Sequence, residues 1–147
     1  MGNRAVITWS DKKDVKKTTD LGIYLHWNGG RDSVEAFLTY CKLQGYREPD
    51  KDNYGYARLC QVICNFMGGD LSVGIDQCRN LDCDNWDNGV YICKGWEIVG
   101  RKYFRGCEQS GYDLVEMLHA INDSMPNDDR LPKEKIEECG KEQRLCM

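Results

Sequence analysis

The stretch HWNGGRDSVEAFLTYC, His26 to Cys41, decides how this chain folds. Upstream of it, Leu21 to Trp27 is rich in β-branched and aromatic residues, which predicts a strand. Asn28-Gly29-Gly30 breaks that strand with residues that tolerate positive φ. Asp32 then stands three residues before Glu35, ahead of the apolar spacing Val34, Phe37, Leu38, Cys41. This pattern resembles a capping box and predicts a helix over Ser33 to Leu43. Amides at a helix start, reached through glycines and flanked by Arg31, form a seat for phosphate. An ordinary strand-to-helix turn carries the same signature, and the Asp32 carboxylate competes for the same amides.

Outward from this stretch, Asn3 to Trp9 reads as a first strand and Ser10 to Asp20 as a solvated loop or hairpin end. Gly45 to Asn53 is a turn region holding Pro49. Tyr56, Leu59, Cys60, Ile63, Phe66 and Met67 follow helical spacing over Tyr54 to Met67, and Gly68-Gly69 stops that helix. Leu71 to Ile75 is a short strand candidate, and Asp76 to Asn88 a long polar loop. Val90 to Cys93 and Trp96 to Val99 read as two strands joined by Lys94-Gly95, with Arg101 to Gly106 continuing or leaving the sheet. Leu114, Val115, Leu118 and Ile121 mark a third helix. The expected class is α+β, a mostly antiparallel sheet packed with about three helices. Residues 1–123 are expected to form one α+β domain that binds a ligand, on the features given below, and 124–147 a charged tail. In that tail, Glu134 to Arg144 is either a short helix or a mobile or partner-bound segment.

Composition narrows the function. With 147 residues and 41% apolar content the chain builds one core. No apolar run approaches the roughly 20 residues that span a bilayer, so no membrane partner is expected. MGNRAVITW lacks the apolar segment of a signal peptide, and Val6 stands where myristoylation wants Ser or Thr, so a cytoplasmic protein is expected. The nine cysteines are odd in number, which suggests reduced thiols. No CxxC occurs and only His26 and His119 are present, so neither metal nor cofactor is expected. Cys41, Cys60, Cys64 and Cys93 read as small core residues. A net charge of −4 disfavours a nucleic-acid polymer as partner, whereas a small anion needs only a few arginines.

Three segments carry features suited to a nucleotide. The glycine turn offers Asn28 and Arg31. The loop LDCDNWDNG offers Trp86 to stack on a base and Asn88 to bond its edge. Its carboxylates miss the EF-hand pattern, and a solvated turn-rich loop accounts for them. In GWEIVGRKYFRG, extended backbone would put Arg101, Tyr103 and Arg105 on one face, two cations beside a ring, suited to a diphosphate. A charged edge strand that resists aggregation is the plainer account. No GxSxG and no diagnostic Cys–His spacing occurs, and a lone His26 is more often structural than catalytic. Binding without turnover is therefore expected, and no catalytic residue is assigned.

The blocks MGNRAVIT, GIYLHWNGGRDSVEAFL, YGYARLCQVICNFMGG, LSVGID, DNGVYI and GWEIVGR together resemble a family of small proteins from phages and mobile elements of clostridia and related bacteria. Within that group the chain is similar to the anti-Thoeris sponges. The resemblance spans roughly Met1 to Leu118 and leaves the tail uncovered. It implies sequestration of glycocyclic ADP-ribose made by bacterial TIR-domain defence proteins, with no cleavage. It also implies homo-oligomers, a dimer or higher, some of which hold cyclic oligonucleotides of another defence system, CBASS. By this resemblance Arg31, Asn88, Arg101 and Arg105 are ligand-binding residues. Cys64, Cys78, Cys93 and Cys107 depart from the family pattern and put ligand preference in question. Apolar residues such as Phe37, Tyr40, Tyr56, Phe66 and Met67 exceed what one small sheet face covers, which also points to an interface. The competing reading is an anti-restriction or anti-CRISPR-type protein that inhibits a host defence enzyme by direct contact through an acidic surface.

Overall fold

A computed structural model describes residues 2–106, 108, 109, 111 and 113–145. Five strands are present: β1 Ala5–Thr8, β2 Leu21–Leu25, β3 Val73–Gln77, β4 Val90–Lys94 and β5 Glu97–Lys102. Four helices join them: α1 Arg31–Gln44, α2 Asn53–Met67, α3 Leu114–Ser124 and α4 Lys133–Leu145. The strands form one sheet in the order β3-β2-β1-β4-β5. All pairings are antiparallel except β1 with β4, whose register aligns Val6 with Val90 and Thr8 with Ile92. The fold is α+β, as the sequence pattern predicts, with one helix more than the three expected.

Side-chain alternation gives the sheet two covered faces. Ala5, Ile7, Ile23, Leu25, Tyr91 and Cys93 point to the helices, where they meet Phe37, Leu38, Tyr40, Leu59, Ile63, Leu118 and Ile121 in the main core. Val6 and Val90 point the other way. Val15 and Cys83 cover them, with Leu81 and Tyr103 packed alongside. The charged run from Ser10 to Asp20 is therefore not simply solvated: Val15 is fully buried and pins it across the sheet. Lysines on either side hide that anchor from a reading based on composition.

The tail folds too. Ile136 of α4 is fully buried in the main core and Leu131 nearly so. Tyr40 Oη donates to Asn122 Oδ1 at 2.6 Å, and the same amide group bonds both backbone atoms of Leu131, at 2.8 and 3.0 Å. Every polar atom of this buried knot has a partner, so it ties α1, α3 and the start of the tail without an unsatisfied charge. Phe37 and Tyr40 are wholly buried inside the chain, and Tyr56, Phe66 and Met67 pack against the same core. Surplus apolar area on α1 and α2 thus completes the fold. Leu71, Ile75, Val99 and Trp86 are the large apolar side chains left exposed among others. Among the described residues no helix is long and apolar enough to cross a membrane.

Local expectations shift at the decisive stretch. Gly30, not Asp32, occupies the N-cap of α1, and it makes no side-chain cap bond. Asp32 lies inside the first turn and its Oδ1 accepts from Ser33 N at 2.7 Å. Glu35 does not reach back to the cap; it accepts from Arg31 Nε at 2.7 Å. A Cβ on Gly30 would press on the Gln109 side chain where that segment crosses the helix start, so a larger residue there requires that side chain to move.

Candidate functional site

The N-terminal ends of β1 and β4, the C-terminal ends of β2 and β5, and the start of α1 all lie at one end of the sheet. This end gathers the residues singled out in the sequence, in two groups. The first is built around Arg101. Register pairs Arg101 with Tyr91 on the helix-facing side of the sheet. Its guanidinium lies 4.0 Å from the Tyr91 ring centroid and 4.3 Å from that of Phe104. One nitrogen, Nη1, donates to Glu108 Oε1 at 2.6 Å, and Nη2 donates to the Asn88 carbonyl at 2.9 Å. The third, Nε, is buried without a partner among the described residues. With only 13% of its side chain exposed, this arginine is a desolvated, oriented cation held between two rings.

Arg31 reaches the same carboxylate from α1, its Nη1 lying 3.9 Å from Glu108 Oε1. Hydrogen bonding to Glu35, followed by weaker attraction from Glu35 and Glu108, holds its pKa above the ordinary arginine value. Asn88 Nδ2 donates to Asn3 Oδ1 at 2.6 Å and to the Arg4 carbonyl. Asn28 sits at φ 56° in the turn before α1, its Nδ2 3.4 Å from Ser33 Oγ. Arg31, Arg101 and Asn88 are therefore brought together, with Asn28 beside them. The amides of the helix start are not bare as the sequence suggested: Asp32 N donates to the Gln109 carbonyl and Ser33 N to Asp32. Arginine side chains, not helix amides, are the anion-seeking groups of this end. Arg31 also lines a cavity of about 230 Å³ between α1 and β5, together with Glu35, Trp96 and Glu97.

The second group is Trp86 and Arg105. Its frame is Asn85, which is buried. Asn85 Nδ2 donates to the Asp82 and Gly89 carbonyls, and its Oδ1 accepts from Asp87 N and Gly89 N. That bracket holds Trp86 at φ 63°, a costly conformation for a bulky side chain, with the indole 70% exposed. Arg105 stacks on the indole at 4.1 Å and pairs with Asp84 at 3.2 Å. Hydrogen bonding from Arg105 keeps the Asp84 carboxyl below the ordinary 3.8.

One expectation fails here. Arg101, Tyr103 and Arg105 do not share a face: β5 ends at Lys102 and Tyr103 takes φ 56°. The kink sends Tyr103 to the face of Val6 and Val90, with Lys16 4.3 Å over its ring, and sends Arg105 to Trp86. Alternation along a strand stops where the strand stops. Tyr91, Phe104, Glu108 and Asn85 were missed by sequence reasoning. Nothing local marks Glu108 as a partner of two arginines.

The acidic loop is likewise spoken for. Arg4 Nε donates to Asp87 Oδ2 at 2.8 Å and its Nη1 lies 3.8 Å from Asp82. Burial opposes ionisation of Asp87, but hydrogen bonds from Arg4 outweigh it and hold the carboxyl below its ordinary value. Among the described residues no three His, Cys, Asp or Glu side chains gather to hold an ion. His26 Nδ1 lies 3.1 Å from the Tyr24 hydroxyl and His119 Nε2 2.9 Å from Glu137. Burial raises the thiols of Cys60 and Cys83 to about 11 and that of Cys93 to about 12. Such thiols are poor nucleophiles at neutral pH. Cys107 lies outside the described residues.

At the opposite end of the sheet, a cavity of about 740 Å³ opens where β1 and β4 run out. Trp9, Tyr56 and Pro49 wall it, and its charged lining is Asp11, Asp20 and Asp50 against Lys94. None of the six residues chosen from the sequence lines it; of the four unusual cysteines, Cys93 does. Compared with protein families, with curated proteins and with solved structures, the chain matches none.

Proposed function

We propose that this protein is a phage anti-defence sponge, which binds a nucleotide immune signal of the glycocyclic ADP-ribose type in the host cytoplasm and holds it uncleaved. The observation that carries the proposal is Arg101. It is fixed between Tyr91 and Phe104, it meets Arg31 at a single carboxylate, and one guanidinium nitrogen is buried with no partner among the described residues. A diphosphate is the ligand whose oxygens and charge suit two convergent arginines. Trp86, displayed with Arg105 against its ring, supplies an aromatic surface for adenine. Asn88 and Asn28 supply amides for ribose hydroxyls. No proton-transfer step is assigned to either histidine. Because a sponge competes with a host sensor, preorganised cations favour it: less ordering is left to oppose binding.

The proposal includes a homo-oligomer. The resemblance to oligomeric sponges supports it, and a second copy over the arginines would help enclose a nucleotide, for which pockets typically run from about 300 to 1,000 Å³.

The test is to incubate the protein with signal made by a TIR-domain enzyme, remove the protein-bound fraction, and heat it. Depletion followed by return of intact ligand supports the sponge. A product of altered mass makes the protein an enzyme, and no depletion points instead to direct inhibition of a host defence enzyme. Light scattering on the same sample checks the assembly: a mass near the 17.0 kDa of one chain, persisting with ligand, removes the oligomer from the proposal.

A further inference from the structure

Glu108 stands where an anion would be expected. Its Oε1 accepts from Arg101 Nη1 at 2.6 Å and lies 3.9 Å from Arg31 Nη1, so one oxygen serves both cations. The neighbouring Gln109 crosses the start of α1: its carbonyl accepts from Asp32 N at 3.2 Å, and its Oε1 accepts from Asn3 Nδ2 at 3.0 Å. Glu108 itself is not deeply seated, with 45% of its side chain exposed. The arginine beneath it is. A half-exposed carboxylate on a buried, oriented guanidinium has the geometry of a bound ligand rather than of a core ion pair.

We infer that Glu108 is an internal counter-ion that occupies the oxyanion position of the Arg31–Arg101 pair, and that an incoming diphosphate binds by displacing it. The inference rests on the site assigned under the proposed function, and adds the residue that sets affinity and selectivity there. A carboxylate brings two oxygens and one charge. A diphosphate brings more of both, so it can satisfy Arg101, including its unpartnered Nε, and Arg31 together. A monoanion such as acetate would only exchange one carboxylate for another and gain little. The internal carboxylate thus selects for polyanions. It also lowers apparent affinity, because only molecules with the seat vacated are competent.

The experiment uses inorganic pyrophosphate as probe, with calorimetry on the full chain. Glu108→Gln removes the charge and keeps the shape; it should bind pyrophosphate about tenfold more tightly than the unaltered protein, as expected when a mostly filled seat is emptied. Glu108→Ser is the second variant and should show the same gain, should the glutamine fail to fold. Glu48→Gln removes the same charge from a glutamate that pairs with Lys51, away from the two arginines, and should leave the affinity unchanged. Equal affinity of the Glu108 variants and the unaltered protein, absence of binding by all of them included, overturns the inference. An equal gain from Glu48→Gln assigns the effect to net charge and overturns it as well. Failure of the sponge reading looks different: pyrophosphate binds and responds to Glu108, yet the TIR-made signal is not captured.

Discussion

Where β1 and β4 begin, Arg31 and Arg101 converge on Glu108; where they run out, Trp9 and Tyr56 wall a cavity of about 740 Å³ lined by three aspartates and one lysine. The larger space and the better anion chemistry are at opposite ends of one sheet. Charge decides between them. At about 4 Å and an effective dielectric near 20, a phosphate gains roughly 4 kcal/mol from an arginine and meets a similar repulsion from a carboxylate. For a nucleotide, volume and charge favour opposite ends. The cavity end offers Lys94 among three aspartates, whereas the arginine end offers Arg31 and Arg101 held against one carboxylate.

The sharpest way to break this comparison is to remove one cation from each end. Arg101→Ala should cost about 2–5 kcal/mol in binding a diphosphate ligand, the loss typical of one partner of a buried charged contact. Arg31→Ala should cost less, because Arg31 is more exposed and already shares Glu35. Lys94→Ala should leave affinity untouched. Calorimetry measures all three, with circular dichroism to confirm that each variant folds. A large loss from Lys94→Ala, with Arg101→Ala silent, would move the site to the cavity end.

A smaller effect concerns acid. Asp87 and Asp84 at the arginine end are held below their ordinary 3.8. A carboxyl whose folded pKa is depressed contributes its stability in full above the unfolded value. That contribution is lost as pH falls through the folded value. Asp87→Asn should therefore be less stable than the unaltered protein at pH 7, and the gap should close below about pH 4. Urea melts at a series of pH values would show it. A gap that stays constant down to pH 2 would mean that the Arg4–Asp87 pair does not anchor this end.

Helix α2 shows what a sequence makes legible. Its apolar spacing and the left-handed Gly68 stop are local signals. The strands were legible for the same reason, to within a few residues. Val15 and Ile136 were not, because each is a lone anchor in a charged segment and becomes apolar core only when that segment folds back. The site divides in the same way. Arg31 and Asn88 announce themselves by the turns they sit in. That Arg101 would leave Arg105 and Tyr103 behind depends on where β5 loses its partner, which residue-by-residue alternation does not reveal.

By itself the sequence determined the α+β class, the helix at the glycine turn, the hairpin at Gly95 and the few arginines suited to an anion. Each of these is written in spacing of a handful of residues, where periodicity and turn chemistry act. Only the tertiary structure decided that Asn85, four hydrogen bonds deep, would hold Trp86 out to solvent. It alone decided that Arg101 would lie between Tyr91 and Phe104, and that Glu108 would meet Arg31 from 77 positions away. Those are contacts between separate segments. Their energy comes from desolvation and orientation, which exist only once the sheet and helices have closed around them.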